Sequence, residues 1–212
     1  MSFVRLFCST YTGIQFKPVE ITMHTNTSSS PTRRFLFLLA SSRENGNTEQ
    51  LARLAAQSLP DEVRQVWLRL TDLAMPEFED KRHSGDGKYA APDGKMAQLL
   101  HETMAATDIV FVTPLYWYSL PTPAKKYLDH WSGWMRVPEL NFLEHMAGRN
   151  MWNVTVMADE DQSYAQPLID TLRLSANYAK MPWRGALIGY GNRPGEVMQH
   201  EKSLRSARDF FV

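Results

Sequence analysis

Phe35-Leu-Phe-Leu-Leu-Ala-Ser-Ser-Arg-Glu-Asn-Gly-Asn-Thr48 begins with six apolar residues, passes into short polar ones and ends at a helix start. The run Phe35 to Ala40 is strand-sized and lacks polar/apolar alternation, as expected of a parallel strand covered by helices on both faces. Past Asn47, the residues Leu51, Leu54 and Ala55 recur at helical spacing. Asn47 is expected to cap this helix, with Gln50 reaching back toward the cap. A buried strand, a short polar loop and a helix make one strand-helix unit.

The rest of the chain repeats that unit. Further strands are predicted at Val63 to Leu70, Ile109 to Thr113, Met151 to Met157 and Ala186 to Tyr190. Helices follow near Lys95 to Ala106 and from Thr122-Pro123, where Ala124, Tyr127, Leu128 and Trp131 share a face. A fourth helix carries Leu168, Ile169, Leu172 and Ala176 inward, and a more polar last one spans Glu196 to Phe210. Such alternation predicts an α/β domain built on a parallel sheet. The stretch Met75 to Gly94, with prolines, glycines and many charges, breaks the rhythm as a long surface loop. Loops of that length cover a ligand, reach a second subunit or are solvated excursions.

Composition narrows the function classes. With 212 residues the chain is sized for one domain. Residues 1–33 are expected to be a flexible arm, because the tract Thr25-Asn-Thr-Ser-Ser-Ser-Pro31 is low in complexity and no export signal precedes it; residues 34–212 form the domain. Lys+Arg 23 against Asp+Glu 23 removes the basic footprint of a nucleic-acid partner. No apolar run reaches the roughly 18 residues of a membrane span. Cys8 is the single cysteine, which fits a reducing compartment, and a cytoplasmic location is expected. Neither GxSxG nor HExxH occurs, and the histidines have no ligand spacing, which disfavours hydrolase and zinc chemistry.

In an open parallel sheet, ligands bind beyond the carboxyl ends of the strands. After the first strand, Ser41, Ser42, Arg43, Asn47 and Thr48 offer hydroxyls, a guanidinium and a helix N-terminus to a phosphate. The loop carries neither the GxxxxGK[ST] nor the GxGxxG pattern, so nucleoside triphosphates and dinucleotides are disfavoured there. An ordinary capped turn is the alternative. After the third strand, Pro114-Leu115-Tyr116-Trp117-Tyr118-Ser119 places three aromatics between prolines, a rigid loop that can lie against a flat ring. Taken together, the two loops suggest a mononucleotide with its phosphate at the first and its ring at the second.

Ser41-Ser-Arg-Glu-Asn-Gly-Asn-Thr48 and Pro114-Leu-Tyr-Trp-Tyr-Ser-Leu-Pro121, with Lys125 and Asp129, resemble the phosphate and isoalloxazine loops of the flavodoxin-like NAD(P)H-dependent FMN reductases, which include quinone, azo, nitro and chromate reductases. The resemblance implies a flavodoxin-like three-layer sandwich with five parallel strands in the order 2-1-3-4-5. It implies FMN as cofactor and NADPH or NADH as co-substrate, with a small-molecule electron acceptor and assembly as a homodimer or higher homo-oligomer. Phosphate would be bound by Ser41, Ser42, Arg43, Asn47 and Thr48; the flavin would meet Pro114, Leu115, Tyr116, Trp117, Tyr118 and Ser119. Lys125 and Asp129 would be structural. The family's third contact loop often carries paired glycines, whereas here it reads Met157-Ala-Asp-Glu-Asp-Gln-Ser-Tyr164, with Asp159 or Gln162 as possible flavin contacts. Two readings of function stand beside each other: an FMN-dependent NAD(P)H oxidoreductase working by a ping-pong cycle, and a flavodoxin-type electron carrier. Zero net charge speaks against the carrier's acidic docking face. Bulky Trp131, Trp134, Phe142 and Leu143 are expected to supply a dimer surface, or else to cap the domain's own core.

Overall fold

The computed structural model describes residues 33–212. The arm expected over residues 1–33, Cys8 included, lies outside the described residues except for Arg33, whose guanidinium donates to Asp108 at 2.9 Å. The elements run β1 (Arg34–Leu39), α1 (Asn47–Ala56), β2 (Arg64–Arg69), α2 (Gly94–Ala105), β3 (Asp108–Val112), α3 (Thr122–Trp134), α4 (Phe142–Met146), β4 (Asn150–Met157), α5 (Gln166–Tyr178), β5 (Trp183–Tyr190) and α6 (Glu201–Arg208). Each neighbouring strand pair is parallel, and the sheet order is β2-β1-β3-β4-β5.

Every residue of β3, and every residue of β1 after Arg34, is buried, because both faces of these strands are covered. On one side Leu36, Leu38, Ile109 and Phe111 pack toward α2, α3, α4 and α5. On the other, Phe35, Phe37, Val110 and Val112 pack toward α1 and α6. The result is the three-layer α/β sandwich implied by the motifs.

Several expectations change. The last helix is two pieces, a 3₁₀ turn at Glu196–Gln199 and α6, separated at His200, whose ring Nδ1 accepts from Ser203 N–H at 3.2 Å and caps the second piece. The short α4 was not foreseen. Trp131, Trp134 and Phe142 are buried around Tyr127, so these rings close the domain's own core. The Met75–Gly94 loop folds back onto α3: Phe78 and Tyr89 stack at 6.0 Å beside Gly133, around a cavity of about 340 Å³. No residue of that loop lines the clefts at the strand ends. Among the described residues no helix is long and apolar enough to cross a membrane.

Candidate functional site

Four chains of backbone leave the sheet at one level and set the site. Ala40 N–H still donates to Val112, Thr113 to Val154, Leu115 to Val156 and Gly191 to Met157, at 2.9–3.1 Å. The loops after β1, β3, β4 and β5 therefore start from a fixed platform. Between them lies a cleft of about 260 Å³ lined by Ser41, Arg43, Gly46, Asn47, Thr48, Pro114, Leu115, Tyr116, Val156, Met157, Ala158, Gly191 and Asn192. A second cleft of about 250 Å³ shares Leu115, Met157 and Ala158 with it and continues along Trp117, Tyr118, Asp159 and Tyr164.

The first cleft has the donors for a phosphate. Ser41, Asn47 and Thr48 are buried around it, and the first-turn N–H groups of α1 have no intrahelical acceptor. Arg43 is exposed at the rim and forms no ion pair among the described residues. Its backbone is held: Arg43 N–H donates to Ser41 Oγ at 3.0 Å, and Arg69 reaches the Arg43 carbonyl at 3.4 Å. Arg69 also pairs with Glu49 at 2.8 Å, and Glu49 accepts from Asn45 N–H at 3.0 Å, which braces the loop from beneath. Burial pushes the Glu49 carboxyl up, but hydrogen bonds from Arg69 and Arg53 outweigh it and hold it below its ordinary value.

Asn47 does not cap α1. Gly46 occupies the cap position, and the Asn47 side chain crosses to the loop after β5, donating to the Arg193 carbonyl at 2.9 Å and accepting from Gly195 N–H at 2.8 Å. Gln50 does reach back, donating to the Asn45 carbonyl at 2.7 Å. Glu196 accepts from the N–H groups of Asn192 and Arg193, so this far wall is fixed from both sides. Gly191 is pressed into it: a Cβ there would meet Val197 N at 2.8 Å and Asn47 Nδ2 at 3.0 Å. Gly191 and Asn192, which also line the cleft, are not among the residues nominated from sequence. Their place after a strand's carboxyl end was the available signal.

The aromatic loop is a tight reversal. Tyr116 and Ser119 exchange N–H···O=C bonds at 3.3 and 3.0 Å, with Trp117 and Tyr118 between them at φ 48° and 61°. Two adjacent left-handed residues form a type I′ turn, normally built from Asn and Gly. Strained aromatics of this kind collect at ligand sites. The Ser119 N–H is spent inside the turn, whereas those of Trp117 and Tyr118 have no backbone acceptor among the described residues. Tyr118 meets Tyr164 edge-on at 5.7 Å. Lys125 and Asp129 form an ion pair along α3 at 2.6 Å.

Of the residues nominated from sequence, Ser41, Arg43, Asn47, Thr48, Pro114, Leu115 and Tyr116 meet in the first cleft, and Leu115, Trp117 and Tyr118 in the second. Ser42 and Ser119 line neither. Asp159 lines the second cleft, and Gln162 does not.

The family described as Flavodoxin_2, flavodoxin-like fold, matches residues 33–210. The chain belongs to this flavodoxin-like family. As a flavodoxin-like protein it is similar to YwqN of Bacillus subtilis strain 168, provisionally described as an NAD(P)H-dependent FMN-containing oxidoreductase, with 26% identity over 166 residues, covering 78% of this chain and 89% of the relative. Its flavodoxin-like sheet also superposes on the Trp repressor binding protein of Bacillus subtilis, with TM-score 0.66, 21% identity and coverage of 84% and 97%. An FMN-dependent NADH-azoreductase of Bacillus anthracis str. Ames Ancestor, solved with FMN, gives TM-score 0.57, 16% identity and coverage of 83% and 98%. These two likenesses concern the flavodoxin-like fold.

Proposed function

We propose that the chain is an FMN-dependent NAD(P)H oxidoreductase, with phosphate at the Ser41–Thr48 end of the cleft and the flavin ring toward Tyr116–Tyr118. The observation that carries this reading is the continuity of the two clefts: donors for a phosphate at one end, a strained aromatic turn with free N–H groups at the other. The description of YwqN as an NAD(P)H-dependent FMN-containing oxidoreductase supports it.

The residues present fit FMN. Arg43, Ser41, Thr48 and the α1 N-terminus match a dianionic phosphate, and Gly191, whose missing Cβ lets the far wall pack against Val197 and Asn47, lines the same cleft. When bound, FMN supplies the hydride and electron chemistry. Leu115, Met157 and Ala158 then exclude water from the ring's inner side, and the N–H groups of Trp117 and Tyr118 offer donors to its polar edge. Preorganised donors of this kind stabilise negative charge as it develops.

Overall, NAD(P)H and one proton would reduce a two-electron acceptor, for instance a quinone to its hydroquinone, leaving NAD(P)⁺. Nicotinamide and acceptor would use the same open side in turn, a ping-pong cycle, with quinone, flavin, azo, nitro or metal-ion acceptors as the candidate classes. A cytoplasmic location and a homodimer belong to the same reading. Exposed Leu174 and Tyr178, one turn apart on α5, supply apolar surface for such a dimer.

The test is an anaerobic visible spectrum of FMN-reconstituted, gel-filtered protein before and after NADPH or NADH. Rapid bleaching of retained flavin is expected. Retained flavin that stays oxidised would identify an electron carrier instead, and loss of flavin on the column would overturn both.

A further inference from the structure

The second cleft is asymmetric in charge. Its walls are the aromatic rings of Trp117, Tyr118 and Tyr164, and the one acidic or basic side chain of charged type that lines it is Asp159. Asp159 is fixed, because its Oδ1 accepts from Asp161 N–H at 2.8 Å. Glu160 and Asp161 follow it on the exposed rim. None of the three carboxylates takes part in an ion pair among the described residues, and no lysine, arginine or histidine lines this cleft. The unpaired cation of the site, Arg43, lines the other cleft at the phosphate end. A chain of zero net charge thus concentrates negative potential where the ring of a redox partner must enter.

Trp117 adds shape to that field. It is 92% exposed and held left-handed, so its ring gains little from the domain's own packing. An exposed indole on a strained turn beside an open cleft is a face for a flat partner.

Resting on the FMN oxidoreductase reading, we propose that the Asp159–Asp161 rim selects the electron acceptor by charge: planar aromatic acceptors that are neutral or cationic are taken, and anionic ones are repelled. Neutral quinones and nitroaromatics are then favoured over sulfonated dyes, chromate and free flavin phosphates. A quinone accepts two electrons and two protons, the hydride equivalent coming from NAD(P)H and the second proton from solvent. The nicotinamide donor is less affected, since its own diphosphate lies several bonds away from the ring that enters.

The test compares 1,4-naphthoquinone with 1,4-naphthoquinone-2-sulfonate, using flavin-loaded protein and the double variant Asp159→Asn with Glu160→Gln. Asn keeps the Oδ1 that accepts from Asp161, so the loop retains its bond. The sulfonate-to-neutral ratio of kcat/KM is expected to rise on the order of five- to tenfold in the variant, the scale of two screened unit charges removed near the entering ring. In the parent protein, kcat/KM for the sulfonate should climb with added salt, and in the variant that climb should flatten. Glu201→Gln with Asp209→Asn removes the same charge from the two ends of α6, at its first residue and just past its last, and should leave the ratio in place. An unmoved ratio in the rim variant, or an equal rise in the α6 variant, overturns charge selection. If flavin is retained and bleached by NAD(P)H while the ratio stays put, only this inference falls; if flavin is not retained or not reduced, the oxidoreductase reading falls with it.

Discussion

Asn47 and Gly195, 148 residues apart in sequence, are joined by a 2.8 Å hydrogen bond from the Gly195 N–H to Asn47 Oδ1. With the 2.9 Å bond from Asn47 Nδ2 to the Arg193 carbonyl, a single amide ties the start of α1 to the loop after β5. Replacing Asn47 by Ala removes both bonds and leaves part-buried backbone groups unpaired, at about 1–3 kcal/mol. Thermal melting should show that loss, and flavin-fluorescence titration should show FMN binding weakened with it. Asn47→Asp keeps the acceptor for Gly195 but brings a negative charge to the phosphate end. It should weaken FMN more than it weakens the fold.

Arg43 tests the polarity of the cleft. Its guanidinium is solvent-facing and unpaired, so Arg43→Ala should leave the melting temperature nearly unchanged. Loss of a charge-assisted contact of about 2 kcal/mol predicts an FMN affinity roughly thirtyfold lower. Riboflavin, which lacks the phosphate, should bind the parent and the variant equally. Equal loss for both ligands would remove Arg43 from the phosphate site.

Gly191→Ala should be costly. The added methyl would stand 2.8 Å from a backbone nitrogen, which cannot swing aside as a side chain can. Overpacking of this kind costs about 1–3 kcal/mol. Gly189→Ala would press on the buried Leu51, Val197 and Val156 side chains at 2.5–3.1 Å and so should also cost the fold, but it should be milder for FMN binding because Gly189 does not line the cleft. Parallel melts and FMN titrations of the two variants check the contrast.

Trp117 occupies a left-handed position that Asn tolerates far better. Because the indole is almost wholly exposed, Trp117→Asn should stabilise the flavin-free protein by about 1 kcal/mol through relief of that strain. The same change should slow turnover of planar acceptors, measured as kcat/KM. A stabilised variant with full turnover would assign the strain no role.

Asp108 governs the acid limb of stability. Burial pushes its carboxyl up, yet donors from Arg33, Trp152, Thr107 and Asn150 outweigh that and hold it below its ordinary value. The folded value lies below the unfolded one, so the contribution is complete above about pH 4 and is lost as pH falls from there through the folded value. Urea midpoints of the parent protein should drop across that window. Asp108→Asn should be about 3 kcal/mol less stable at neutral pH and flatter below pH 4.

How much of this was legible beforehand follows from distance along the chain. The βα units were readable because β1 and β3 are buried on both faces and so are apolar without interruption. β5 was placed three residues late: Arg184 and Gly185, the latter at φ 111° near a register shift against β4, break the apolar run at its start. The split of the last helix at His200 was hidden for a related reason, since the capping ring bonds only Ser203, three residues on, and leaves no gap in polarity. At the site, the Ser41–Thr48 and Pro114–Ser119 loops announced themselves by local composition. The partners of Asn47 could not, because nothing near Asn47 distinguishes a helix cap from a strut to residue 195. Nor could composition separate the Ser119 N–H, consumed inside its turn, from those of Trp117 and Tyr118.

Arg33 gives the domain a practical edge. Asp108 at the start of β3 is wholly enclosed, and among the described residues Arg33 is its one cationic donor, through two bonds from a residue that precedes β1. A shortened chain beginning at Arg34 would keep every described strand and helix yet strand a carboxylate with only neutral donors among the described residues. Trimming for crystallisation or fusion should therefore cut upstream of residue 33, and a tag joined there would sit at the amino ends of the strands, the opposite pole of the sheet from the clefts.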